Sequence, residues 1–147
     1  MLAFGFGSGL APFAPGTAGT VAAIPLFLLL NMLPAELYLA ACALTFVVGI
    51  PICGASAKAL GVKDHSGIVW DEFVGFWVTM AFAPSGWIWL VLGFAFFRLF
   101  DIAKPWPISW VDRNVGGGFG IMLDDLLAGL LAAASLAFIS YIIAPLF

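Results

Sequence analysis

Charged side chains are scarce in this sequence: Lys, Arg, Asp and Glu make up 9% of its 147 residues, against about 25% in ordinary soluble domains. That shortage argues against a water-soluble fold. Only five residues are Lys or Arg and the formal net charge is -3, so no clustered basic face exists to neutralise phosphates, and nucleic acid is excluded as a partner. Cysteine is nearly absent too. Cys42 and Cys53 lie in one apolar stretch, with neither metal-ligand spacing nor a nearby His to activate a thiolate, and read as buried small hydrophobes. The amino end lacks the basic segment and apolar core of a cleavable signal, which leaves targeting to the first hydrophobic helix.

What the chain has in excess is apolar surface: 64% of its residues are hydrophobic and the mean hydropathy is +1.16. Runs long enough to cross roughly 30 Å of hydrocarbon predict an all-α fold, a single membrane domain over residues 1–147, and not a barrel of alternating strands. Residues 1–16, rich in Gly and Pro, are expected to be irregular, at an interface or folded back into the bundle. Thr17 is the expected cap of a first helix over 17–33, kinked at Pro25, and a turn through Pro34 leads to a second over 37–57. A polar stretch, 58–67, precedes a third apolar segment over 68–82. The turn Ala83-Pro84-Ser85-Gly86 leads to a fourth over 87–103, a loop covers 104–120, and the last helix runs over 121–144. The expectation is a polytopic helical bundle of about four to five apolar segments. Its third segment, at roughly 22 Å for about 15 residues, is short or re-entrant.

Following the chain from side to side places every polar stretch except the Glu36 turn on the face that holds the amino-terminal loop. All five basic residues, Lys58, Lys63, Arg98, Lys104 and Arg113, fall there, so the positive-inside rule makes that face cytoplasmic. Trp106 and Trp110 on that face, with Trp87 and Trp89 opposite, fit interfacial aromatic belts.

Seven of the eight acids share that face: Asp64, Asp71, Glu72, Asp101, Asp112, Asp124 and Asp125. Carboxylates inside apolar helices are costly and by default functional. First-turn placement, where the helix dipole favours an anion by about 0.3–1 kcal/mol, is a structural account for Asp71, Glu72, Asp124 and Asp125. It fails for Asp101, which closes its helix and calls for a cation: Arg98, Lys104 or a metal. Adjacent residues on a helix point about 100° apart, so one of each pair, Asp71-Glu72 and Asp124-Asp125, is expected to face inward. Inward carboxylates from three helix ends would repel one another without a hard divalent cation, and Mg²⁺ takes carboxylates, waters and substrate phosphate. The pattern therefore favours a Mg²⁺ site completed by a phosphate, with Asp71, Glu72, Asp101, Asp124 and Asp125 as candidate ligands or water activators.

Two glycine-rich stretches, Gly7-Ser8-Gly9 and Pro15 to Thr20, offer backbone N–H groups and the hydroxyls of Ser8, Thr17 and Thr20 to an anion, or else are a flexible loop with close helix packing. The run Gly116-Gly117-Gly118-Phe119-Gly120 reads most simply as a hinge ahead of Asp124. Asp64 and His65 stand at the interface, where a His is either solvated or in contact with substrate. Arg98 is placed to orient Asp101, and Lys104 and Arg113 to hold phosphate, because a phosphomonoester beside acidic ligands needs cations. Several phosphate chemistries are missing altogether. There is no Cys-x5-Arg cradle, no Asp-x-Asp start, no P-loop, and a single His where two would be needed for a phosphohistidine route. Metal-activated water or a carboxylate nucleophile remains.

Four blocks, GSGLAPFAPGTAGT (Gly7 to Thr20), DHSGIVWDEFVGFW (Asp64 to Trp77), FRLFDIAKPWPISWVDR (Phe97 to Arg113) and GGFGIMLDDLLAG (Gly117 to Gly129), together closely resemble the phosphatidylglycerophosphatase A family. They recur in the family's order and spacing, with no departure at the acidic positions and a short amino-terminal extension. The resemblance implies a Mg²⁺-dependent lipid phosphatase that converts phosphatidylglycerophosphate to phosphatidylglycerol and phosphate, a phospholipid partner, and a multi-pass place in the bacterial inner membrane with the active site facing the cytoplasm. An ion or phosphate transporter with an acidic cation site is the alternative. It would need a polar path to the far side, yet residues 21–33, 37–57 and 126–147 offer only Asn31, Glu36 and scattered hydroxyls. A purely structural membrane subunit would not need five acids at helix ends.

Overall fold

Proline and glycine set most of the helix boundaries in the computed structural model, which describes residues 1–63 and 65–143. After a 3-10 helix, Gly5–Leu10, come α1 (Pro15–Leu30), α2 (Ala35–Leu60), α3 (Trp70–Met80), α4 (Trp87–Ala103), α5 (Ile108–Asn114) and α6 (Gly117–Ile143), with no strand among the described residues. Pro15 opens α1, where its missing N–H costs nothing. The expected Thr17 cap is therefore not used. Ala14, in the left-handed region at φ 44, occupies the cap position without a side-chain bond, and Thr17 lies inside the first turn. Gly61, at φ 70, closes α2 by returning its N–H to the carbonyls of Ala57 and Lys58. The amino-terminal segment folds back onto the bundle. Ala3 carbonyl oxygen accepts the N–H groups of Val69 at 2.8 Å and Trp70 at 3.2 Å, which closes the start of α3.

Among the described residues two helices, α2 and α6, are long and apolar enough to cross a membrane, fewer than the four to five apolar segments expected. Helix α1 has 16 residues and α4 has 17, roughly 24 and 26 Å of rise against about 30 Å of hydrocarbon. The third apolar segment is shorter still and is the centre of the molecule. Nine of the 11 residues of α3 are buried, because α6, α1, α2 and α4 all pack against it. Its indoles are satisfied by neighbouring backbone, Trp77 Nε1 donating to the Ala23 carbonyl at 3.1 Å and Trp70 Nε1 to that of Thr45 at 3.0 Å, while the Tyr38 hydroxyl of α2 donates to the Trp77 carbonyl at 2.6 Å. Glycines bring α3 and α6 together. A Cβ at Gly75 would lie 2.8 Å from the Asp125 carbonyl oxygen, and one at Gly129 would strike the carbonyl oxygen of Gly75.

The exterior reverses the usual order of a soluble protein. Leu28 and Leu29 on α1, Leu44 and Val47 on α2, Val91 and Ile102 on α4, and Phe138 and Tyr141 on α6 are exposed, while Thr20, Asp71, Glu72, Asp124 and Asp125 are buried. Polar groups inside and hydrocarbon outside is the arrangement a bilayer rewards.

Candidate active site

Three helices each carry charge to one place. Helix α3 begins with Asp71 and Glu72 in its first turn, where the dipole favours an anion. Helix α4 ends with Arg98 and Asp101, and α6 carries Asp124 and Asp125. Helix α6 starts at Gly117, four residues before the expected position, so Asp124 and Asp125 lie beyond its first turn, which holds no acid. The dipole account fails for them as it does for Asp101, and they depend on side-chain partners. The expectation that one member of each pair faces inward also needs correction. Asp71, Glu72, Asp124 and Asp125 are all buried, because α3 is enclosed on every side and a 100° turn only carries its second carboxylate into another helix.

Two cations organise these acids. Arg98 Nη1 lies 2.5 Å from Asp101 Oδ2 and 3.4 Å from Glu72 Oε2, all three side chains being largely buried. Lys104 Nζ lies 2.8 Å from Asp124 Oδ2 and 2.8 Å from Asp112 Oδ1. Burial opposes the charge on Lys104, but its hydrogen bonds to Asp112 and Asp124 and their charges outweigh that and hold its pKa above the ordinary lysine range. The Lys104 hydrogen bond in turn holds Asp112 below the usual carboxylate range, with burial opposing and Lys63 and Arg113 adding to the effect. Asp125 is the deepest acid. It senses the charges of Asp101, Asp71, Asp124 and Glu72, and its Oδ2 is buried without a hydrogen-bond partner among the described residues.

The remaining predicted residues divide. Thr20, fully buried, has its hydroxyl 3.0 Å from Glu72 Oε2 and 3.0 Å from the Gly16 carbonyl, so it steadies an acid of the cluster. At its neighbour Gly16 the backbone runs close under the cluster, and a Cβ there would displace Glu72 Oε1 and stand 2.9 Å from an Arg98 nitrogen. Ser8 hydroxyl instead donates to the Gly5 carbonyl within its own turn at 2.9 Å. Thr17 is half-buried on α1. His65 stacks obliquely on Phe4 at 5.8 Å and accepts the Gly67 N–H on Nδ1 at 3.0 Å, contacts that shape the loop ahead of α3. Asp64 lies outside the described residues. Arg113 is exposed at the end of α5. Asp112, a site neighbour that sequence reasoning left as one acid among seven, falls beside Lys104 because residues 108–114 form a helix and not the expected loop. Ile108 and Val111, buried three residues apart just after Pro107, are the apolar signal that marked it.

A narrow crevice lined by Lys63, Asp112, Val115, Gly117, Gly120, Ile121 and Asp124 reaches the cluster. Larger hollows, of about 320 and 530 Å³, surround Pro84 to Trp87 at the other end of α4 and contain no acidic or basic residue. Size does not mark the site; charge does.

The sequence profile described as phosphatidylglycerophosphatase A matches residues 1–140. The chain belongs to the phosphatidylglycerophosphatase A family. It is 51% identical over 142 residues to phosphatidylglycerophosphatase A of Escherichia coli (strain K12), covering 96% of this chain and 83% of that one. It is 46% identical over 143 residues to the enzyme of the same name from Haemophilus influenzae, covering 96% and 88%. A Bacteroides thetaiotaomicron protein provisionally named phosphatidylinositol-3-phosphatase is 36% identical over 150 residues, covering 97% and 94%. No solved structure matches. The chain is therefore a phosphatase, and the acidic cluster of the family member described here is its candidate active site.

Proposed function

We propose that this phosphatase hydrolyses the terminal phosphomonoester of phosphatidylglycerophosphate, giving phosphatidylglycerol and phosphate, with Mg²⁺ as cofactor and with its site at the cytoplasmic face of the bacterial membrane. The observation that carries the reading is the imbalance at one end of an apolar bundle: among the described residues Asp71, Glu72, Asp101, Asp112, Asp124 and Asp125 gather around Arg98 and Lys104, and Asp125 Oδ2 is buried without a hydrogen bond. An oxygen-only donor set with surplus negative charge suits Mg²⁺, which favours carboxylates, water and phosphate. Among the described residues no three acidic, His or Cys side chains converge on one point as they stand. Asp101 and Glu72 lean on Arg98, and Asp124 leans on Lys104.

Asp71, Glu72, Asp101, Asp124 and Asp125 would hold the metal, which when bound supplies charge neutralisation and a more acidic water. Water oxygen bonds to phosphorus, the bond from phosphorus to the glycerol oxygen breaks, and the alcohol leaves with a proton. A cluster carboxylate takes that proton from the attacking water and passes it to the departing glycerol oxygen, so the acid is returned to its starting state. Lys104 and Arg113 hold the phosphate oxygens by charge-assisted hydrogen bonds, while Arg98 fixes Asp101 and Glu72. Phosphate release from phosphatidylglycerophosphate by the purified protein is expected to need Mg²⁺ and to stop with a chelator. Equal rates with and without Mg²⁺ would refute the cofactor, and faster release from phosphatidylinositol 3-phosphate would move the substrate to the chemistry named for the Bacteroides relative.

Sidedness has its own test. Lys63, Lys104 and Arg113 gather at the crevice end of the molecule, so that end is expected to face the cytoplasm. In a background without Cys42 and Cys53, Lys63→Cys should resist an impermeant thiol reagent in intact cells and react after permeabilisation. Reaction in intact cells would reverse the orientation.

A further inference from the structure

We propose that Asp112 is a positioning residue of this phosphatase: it holds the Lys104 ammonium so that one N–H stays directed at an incoming phosphomonoester. The inference rests on the reading of Lys104 as a phosphate contact. Lys104 follows the last turn of α4 in the left-handed region, at φ 43 and ψ 58, a conformation that a non-glycine residue keeps only when its surroundings impose it. From there its Nζ reaches Asp112 Oδ1 and Asp124 Oδ2, each at 2.8 Å. An ammonium has three N–H donors. Two are engaged among the described residues, and with the Cε bond they fix the direction of the third.

The two carboxylates are not equivalent. Asp124 is 7% exposed and belongs to the buried cluster, whereas Asp112 is 42% exposed and lines the crevice that leads to Asp124. Asp112 is itself anchored, since Lys63 Nζ donates to its backbone carbonyl. Lys63 and Arg113 also stand close enough to act on its charge, so phosphate does not meet a bare anion at this point. Without the Asp112 carboxylate, Lys104 keeps Asp124 alone. The ammonium is then drawn inward, away from the mouth of the site and into competition for an acid the metal needs.

The test uses purified full-length protein and two probes, phosphatidylglycerophosphate as substrate and inorganic phosphate as inhibitor. Asp112→Asn is expected to raise KM and to weaken inhibition by phosphate, each by roughly tenfold, with a smaller change in kcat. Asp112→Glu should restore most of both. In a Lys104→Gln background, Asp112→Asn should have no further effect, because the two residues act through one contact. Normal kinetics in Lys104→Gln would end the reading of Lys104 as a phosphate contact, and the present inference with it. Impaired Lys104→Gln beside normal Asp112→Asn, or additive effects in the double variant, would overturn the positioning role alone. So would an Asp112→Asn protein that melts earlier but keeps its KM and its phosphate inhibition.

Discussion

Asp125→Asn is expected to lower phosphatase turnover by about 10²–10³-fold while leaving the fold at least as stable as before. The two effects come from the same crowding. Asp125 is buried at 3% exposure among the charges of Asp101, Asp71, Asp124 and Glu72, with only Arg98 and Lys104 to balance them. An amide at this position keeps the volume, removes one charge, and brings two N–H donors into a place crowded with acceptors. Stability therefore rises or holds, whereas the loss of a candidate ligand removes several kcal/mol of transition-state stabilisation. Asp71→Asn and Asp124→Asn should lose turnover likewise, Asp124→Asn with a loss of stability as well, because it weakens the ion pair with Lys104. A thermal-melt series with Mg²⁺ separates binding from chemistry: a ligand that binds only the folded protein raises the melting point, so the natural protein should respond to Mg²⁺ and the variants should not. Near-normal turnover at saturating Mg²⁺ in all three variants would discard the metal site.

Arg98→Leu is expected to cost about 3–5 kcal/mol of stability, the usual result of removing one member of a buried ion pair, and to abolish activity with it. Arg98 serves Asp101 at 2.5 Å and Glu72 at 3.4 Å at once. Its loss leaves both acids charged inside the bundle with no cation in reach among the described contacts. Arg98→Lys keeps the charge but not the planar fork, and should recover only part of the stability. Adding Asp101→Asn to Arg98→Leu should recover part of the stability without recovering rate, since one of the two uncompensated charges goes but the arrangement does not return. Denaturation of the detergent-solubilised variants, read beside phosphate release, checks both halves. An Arg98→Leu protein as stable as its parent would show that the pairings around Arg98 contribute nothing to the fold.

Much of this arrangement is legible in the sequence because proline and glycine punctuate it. Gly86 and Pro105 bracket α4, whose limits the sequence places at the observed Trp87–Ala103. The family assignment also follows from the four blocks. Other features escaped for physical reasons. Thr17 looked like a cap, but Pro15 two residues earlier already suits a first helical position, and α1 starts there. Hydropathy reads α1, α3 and α4 as further apolar segments. Enclosure distinguishes α3, because a helix packed on all sides and one facing lipid have the same composition, whereas α1 and α4 are set apart by their length of 16 and 17 residues. Tertiary enclosure likewise buries both members of each acid pair, which periodicity alone cannot foresee. Asp112 could not be singled out before α5 was seen to bring it back onto Lys104.

The contact of Gly75 with Gly129 has a mechanical consequence. Asp71 and Glu72 lie one turn before Gly75, and Asp124 and Asp125 one turn before Gly129, so the meeting of the two backbones sits one turn beyond both acid pairs, as a pivot sits behind the jaws of a pair of calipers. Side chains at a helix contact are springs that a thicker bilayer or a neighbouring substitution can compress; two abutting main chains are a hard stop. The gap between the α3 and α6 carboxylates is thus gauged by the peptide backbone itself. Changes in the outer wall of the bundle can alter how the protein sits among lipids without resetting the gauge.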